Sequence, residues 1–174
     1  MPTLLHPQVA KTIEANKLIF EELACDPNFA DTAAFNEKYG FTPEQSANTI
    51  IVASKKIEPS QYVACVVLAS TRLDVNKAVT KLMGIKKASF ADAETTKQLT
   101  GMEIGGVTAI GINDLPIYVD SAVMNANEVV MGGGNRTSKV IIQPKELLKL
   151  PNIQVVDDLA KSVEKIVKRI NYLV

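Results

Sequence analysis

Gly101, Gly105, Gly106 and Gly111 fall within eleven consecutive residues, between a helical pattern and the apolar run 115–119. Glycine lets backbone approach a ligand closely and take positive φ. A loop so built can aim several N–H groups at one oxygen, as an anion or the oxyanion of an acyl transfer requires. The donors would be the backbone N–H groups of Gly105, Gly106, Val107, Thr108, Ala109 and Ile110. The same glycines serve equally well to turn the chain between a helix and a strand. Other chemistries find less material. His6 is the only histidine and lies near a chain end expected to be mobile, so a Ser–His–Asp or Cys–His arrangement is not expected. Cys25 and Cys65 have neither metal-ligand nor disulfide spacing and read as buried thiols in a reducing compartment. There is no Walker sequence, and no strand leads into the glycines as a dinucleotide fingerprint needs. No metal or cofactor is called for.

The loop is one of an ordered series. Ser46-Ala47-Asn48-Thr49 opens an apolar strand, and Lys87-Ala88-Ser89-Phe90-Ala91 follows a helix stopped by Gly84. Then come Leu99-Thr100-Gly101, Gly105-Gly106-Val107-Thr108-Ala109 and Leu115-Pro116-Ile117-Tyr118-Val119-Asp120. Gly132-Gly133-Gly134-Asn135-Arg136 and Gln143-Pro144-Lys145-Glu146-Leu147-Leu148 close it. In order and spacing, this series over about residues 32–150 resembles the YbaK/ProX family, the editing domain associated with prolyl-tRNA synthetase. The resemblance implies a hydrolase of mischarged aminoacyl-tRNA, whose partners are the aminoacylated 3′ end of tRNA and an aminoacyl-tRNA synthetase.

It also implies a site. Asn48 and Gly105, Gly106, Val107, Thr108 and Ala109 would carry catalysis. Thr49, Gly101, Ile110, Asp120, Ser121, Gly133, Gly134 and Arg136 would bind substrate. Asp120 would meet the α-amino group or cap the following turn, and the 132–138 segment with Arg136 would hold the terminal adenosine or simply turn a hairpin. Two departures stand out. Family deacylases usually carry Lys-Thr where this chain has Asn48-Thr49, and their loop reads Gly-x-x-x-Pro where this one ends in Ala109. Asn48 can orient a water or bond a ribose, but it brings no ammonium charge. Lys55, Lys56, Lys86 or Arg136 could restore one. Ala109 brings an N–H that proline lacks and loosens the loop. Two rival readings follow: a non-catalytic module holding the aminoacyl-tRNA 3′ end, and a pocket for a small amino-acid-like ligand.

The elements that must position these residues read as follows. A chain of 174 residues, 47% hydrophobic, suits one domain with a sizeable core, here residues 1–174. Zero net charge argues against a protein that coats polyanions and leaves room for contact with a tRNA terminus. No leader or membrane span is expected, which implies a cytoplasmic protein. Pro7 starts a helix expected to reach about Cys25, Asp31 caps one stopped by Gly40, and Thr42-Pro43-Glu44-Gln45 is a capping box. Strands are expected at 49–53, 61–69, 117–120, 128–131 and 139–142, the first two antiparallel, with helices capped by Asp74 and Asp92. This irregular alternation predicts an α+β fold with a mixed, largely antiparallel, partly barrel-like sheet flanked by helices. A last helix is expected over 157–174, with Leu159, Val163, Ile166, Ile170 and Leu173 on one face and Lys161, Lys165 and Lys168 opposite. The apolar face would dock on the core or on a second copy of the chain, as in a homodimer.

Overall fold

The computed structural model describes residues 2–163. In chain order the elements are α1 (Pro7–Asn16), β1 (Phe20–Ala24), α2 (Thr32–Tyr39), β2 (Ala47–Ser54), β3 (Tyr62–Leu68) and β4 (Thr71–Leu73). They continue with α3 (Thr80–Met83), β5 (Ala88–Phe90), α4 (Ala93–Thr100), β6 (Ile117–Asp120) and α5 (Ser121–Met124). The strands β7 (Val129–Gly132), β8 (Ser138–Ile142), β9 (Ile153–Val156) and β10 (Ala160–Ser162) complete the series. The main sheet runs β5-β2-β3-β6-β9, antiparallel on the β5 side and parallel where β3, β6 and β9 meet. A second, antiparallel sheet runs β1-β8-β7, and a bridge from Ser46 to Val130 joins the two. The fold is therefore the mixed α+β arrangement that the irregular alternation of elements predicts.

The apolar run of β3 explains the layering. Ala64, Val66 and Leu68 face one core with Ile51, Ile117, Met131 and Val140, while Val63, Cys65 and Val67 face another with Leu73, Val79 and Leu159. A strand covered on both faces needs no polar alternation. The first core fills the space between the two sheets and is closed by Val9 and Ile13 of α1. A third, smaller core under α2 holds Cys25, Phe35, Val130 and Ile141.

Three expectations about elements are corrected. The first helix stops at Asn16, because Lys17 turns left-handed and Leu18 N–H returns to Ile13 C=O at 3.0 Å. Residues 20–24 then pair with β8 as a strand. His6 is not in a loose end: its N–H donates to Gly133 C=O at 2.9 Å, and Asn135 Nδ2 donates to Leu4 C=O at 3.0 Å. Finally, no helix begins at Asp157. Asp158 takes φ 56°, Leu159 is buried with Leu73 and Val79, and Ala160–Ser162 pairs with β4. Lys161 of that strand lies 3.3 Å from the Asp74 carboxylate. Ile166, Ile170, Leu173, Lys165 and Lys168 lie outside the described residues. No helix among the described residues is long and apolar enough to cross a membrane.

Candidate functional site

The seam between the two sheets leaves a cavity of about 250 Å³ along the outer edge of β2. That edge is open because β5 is short. Odd-numbered residues of β2 direct their backbone groups toward β5: Ile51 C=O accepts from Ala91 N–H, and Lys55 N–H donates to Lys87 C=O, both at 2.9 Å. Pairing ends there, so alternation leaves the N–H and C=O of Thr49 facing the cavity instead of a neighbouring strand. The opposite wall is formed by Ile104, Gly105 and Val107, and the floor by Gly132 and Lys139 of the second sheet.

The glycine loop is held from behind, one carbonyl at a time. Ile104 C=O accepts from Arg136 Nη1 at 2.8 Å, Gly105 C=O from Lys139 Nζ at 2.7 Å, and Gly106 C=O from Gly134 N–H at 2.7 Å. In a trans peptide the N–H of the next residue points the opposite way. Drawing back the first and third of these carbonyls therefore turns the N–H groups of Gly105 and Val107 outward. Among the described residues these two have no hydrogen-bond partner. The other four donors of the loop are engaged within the protein. Gly106 N–H donates to Glu103 C=O at 2.9 Å and Thr108 N–H to Met102 Sδ at 3.5 Å. Ala109 N–H donates to Thr49 Oγ1 at 3.0 Å and Ile110 N–H to Thr108 Oγ1 at 3.4 Å. The N–H that alanine brings at position 109 thus ties the loop to β2 rather than loosening it. The seam is tight: a Cβ on Gly106 would overlap the backbone of Asn135, and one on Gly132 the carbonyl of Gly106.

Of the residues expected in the site, Asn48, Thr49, Gly105 and Val107 line the cavity. Asn48 Oδ1 accepts from Thr32 Oγ1 at 2.7 Å, which leaves its Nδ2 hydrogens for the cavity. Gly106 lies in the wall behind them, and Thr108, Ala109 and Ile110 are fully buried beneath the loop. Arg136 reaches the loop but not the cavity. Its Nε and Nη2 donate to Pro27 C=O at 3.1 and 2.8 Å, and Nη1 lies 3.2 Å from the Asp31 carboxylate. Gly133 and Gly134 pack against the segment around His6. Gly101 ends α4 next to Gln8. Asp120 and Ser121 are elsewhere, at the end of β6, where Asp120 Oδ1 accepts from Leu159 N–H at 3.3 Å. Burial raises the Asp120 carboxyl above the usual carboxylate range, against the pull of the Leu159 and Ala160 N–H groups. Lys55, Lys56 and Lys86 are not in the cavity lining.

Lys139 is the cation that does reach it. The side chain is 6% exposed, its Nζ donates to Ala30 and Gly105 C=O at 2.7 Å each, and it lies 5.1 Å from the centre of the Phe35 ring. Burial lowers its pKa below the ordinary lysine value. In the sequence the only trace is one lysine opening the otherwise apolar 139–142 strand just after a glycine turn. Ala91, the last residue of the 87–91 segment in the ordered series, also lines the cavity, as do Thr32 and Thr96, which carry no signal in sequence. Among the described residues the lining holds no carboxylate, imidazole or thiol. Cys65 is pushed up to about 12 by burial, and burial also raises Cys25, so neither is a thiolate at neutral pH. A donor-rich cavity of this kind can stabilise an oxyanion and position a water.

Comparison with known proteins bears on the family and the fold. The family model described as the aminoacyl-tRNA editing domain matches residues 26–150. An uncharacterized protein of Bacillus subtilis (strain 168), YwhH, is 31% identical over 132 residues, covering 71% of this chain and 83% of that protein. A crystal structure described as a candidate trans-editing enzyme for prolyl-tRNA synthetase is 26% identical, with TM-score 0.72, over 88% of this chain and 97% of that one. The crystal structure of the hypothetical protein APE2540 shares the fold, with TM-score 0.78 at 24% identity over 88% of this chain and 99% of that one.

Proposed function

The chain belongs to the aminoacyl-tRNA editing domain family, and on that basis we propose that it is a free-standing aminoacyl-tRNA deacylase, clearing the ester of a mischarged tRNA. The observation that carries this reading is the pair of N–H groups without a partner among the described residues, those of Gly105 and Val107, which line the cavity together with Asn48. A water attacks the ester carbonyl carbon, assisted by the neighbouring hydroxyl of the terminal ribose. The carbonyl oxygen becomes an oxyanion facing Gly105 and Val107, and Asn48 Nδ2 orients the water or the ribose. The bond to the ribose oxygen then breaks, and that oxygen takes the proton the water gives up. One preorganised oxyanion donor is worth about 10²–10³ in rate. The zero net charge suits a protein that grips only the 3′ end of a tRNA handed on from a synthetase. In this reading residues 1–174 act as one cytoplasmic domain.

One observation favours a second reading. A lining in which the described residues bring no carboxylate, imidazole or thiol also suits a module that holds the aminoacylated end without cleaving it. Incubating the chain with a panel of mischarged tRNAs and following ester loss separates the two. Accelerated loss on at least one tRNA is the expected result. Protection of the ester against spontaneous hydrolysis would replace the deacylase with the holder, and indifference on every tRNA would remove both.

A further inference from the structure

Beside the cavity lies a second, smaller chamber of about 20 Å³, and the two share Thr32, Ala47, Asn48, Gly132 and Lys139. A chamber of this size admits about one water-sized group. A tRNA body cannot enter a cavity of about 250 Å³, and of the groups at the aminoacylated 3′ end only a short amino-acid side chain is small enough to reach into the chamber. The chemistry of the small chamber is therefore the chemistry that reads it.

That chamber is polar on one side. Two of the three Lys139 hydrogens are held by Ala30 and Gly105 C=O, and the third is left for the chamber. Thr32 Oγ1 and Ser46 Oγ donate to Asn48 Oδ1 and Asn36 Oδ1, so each keeps lone pairs to accept a further hydrogen bond. Phe35, Val130 and Met131 close the other side. A hydroxyl one atom beyond Cβ fits this set: it accepts from Lys139 and donates to a threonine or serine oxygen. A methyl group fills less and leaves the ammonium unmatched. A cationic side chain meets like charge, and a carboxylate or a branched chain exceeds the volume.

We infer that Lys139 is a specificity-determining residue, selecting aminoacyl esters with a short hydroxyl-bearing side chain over their apolar isosteres. This rests on the deacylase reading for its setting, but binding tests it separately. The first measurement needs no variant. Seryl, alanyl and valyl esters on one tRNA body are compared by kcat/KM, and the seryl ester is expected to be cleaved at least about tenfold faster than the alanyl. Lys139→Met should bring the seryl-to-alanyl ratio within about twofold of unity, on top of a loss that both esters share as the Gly105 carbonyl is freed. If Lys139→Met fails to fold, Thr32→Val, which exchanges one chamber hydroxyl for a methyl, should lower the same ratio. Titration with non-hydrolysable 3′-amide-linked seryl- and alanyl-adenosine completes the test, with at least tenfold tighter seryl binding expected. If that preference is present while no ester is cleaved, the deacylase reading falls and the selectivity stands. Equal binding of the two amides, equal cleavage of the two esters, or an unchanged ratio in a folded Lys139→Met protein would overturn it.

Discussion

Thr49 decides whether the glycine loop is held or merely near. Its hydroxyl accepts the Ala109 N–H at 3.0 Å, and Ala109 is fully buried. Thr49→Val keeps the shape and removes the acceptor. A buried N–H left without a partner costs about 1–3 kcal/mol. If the loop keeps its place, that cost appears in full as lost stability. If it relaxes to recover a partner, Val107 N–H moves and the cost appears in the barrier, as a fall of about 5- to 150-fold in turnover. Urea unfolding and single-turnover deacylation, measured on the same preparation, read the two shares. Thr49→Ser, which keeps the hydroxyl, should stay close to the wild type in both. A residue that only touches substrate would behave differently, raising KM with stability unchanged. Thr49→Val with wild-type stability and wild-type turnover would refute the argument that this hydrogen bond anchors the loop.

Arg136→Met should lower turnover by about tenfold by freeing the Ile104 carbonyl, whereas Asp31→Asn, which removes only an exposed ion pair, should cost less than about 1 kcal/mol in urea unfolding. Gly106→Ala should destabilise the fold by about 1–3 kcal/mol, read as a lower urea midpoint, because its Cβ has no room against Asn135. Asp120→Asn keeps an acceptor for Leu159 N–H and should leave deacylation unchanged. The raised pKa of Asp120 means that the folded state binds its proton more tightly than the unfolded one. Its contribution to stability is therefore largest below the ordinary carboxylate pKa of about 4 and is lost as pH rises through the folded value. Unfolding midpoints measured from pH 3 to pH 7 should show the wild type losing ground to Asp120→Asn across that window, and parallel curves would refute the shift.

What could be read from the sequence was what depends on neighbours along the chain. The apolar run of β3, the Asp92 cap and Gly101 stop of α4, and the antiparallel pairing of β2 with β3 all follow from local pattern. What could not be read depends on partners far away. Nothing local stops α1 at Asn16, since the left-handed turn falls on a lysine rather than a glycine. The 20–24 segment is a strand because β8 lies beside it, not because its own residues alternate. Leu159 is the buried anchor that its apolar stripe suggests, but residues 157–162 form a left-handed turn at Asp158 and a strand where the stripe implies the start of a helix. In the site, Asn48 and the glycine loop were legible from motif order, whereas Lys139 was not. A lysine at the head of a strand reads as an exposed edge. Only the tertiary fold shows that the carbonyls of Ala30 and Gly105 are waiting for it.

This position of Lys139 has a consequence for how the site is assembled. A cation on β2, where Asn48 stands, would face the cavity alone. On β8 it faces the cavity and also draws back the Gly105 carbonyl. It thereby joins Arg136 and Gly134, which fix the carbonyls on either side. The charge and the loop geometry are then one device rather than two. Replacing the lysine by an apolar residue removes the charge and releases the middle of the three anchors together. The loop has no slack to absorb that release, because Thr49 holds its far end and the Gly106–Gly132 contact leaves no space behind it. A loop built this way needs no proline to be stiff. Ala109 lacks the ring, yet its N–H adds a bond that the ring would forbid. Rigidity here comes from four tertiary contacts on the backbone, which is why the amino-acid types within the loop say so little about it.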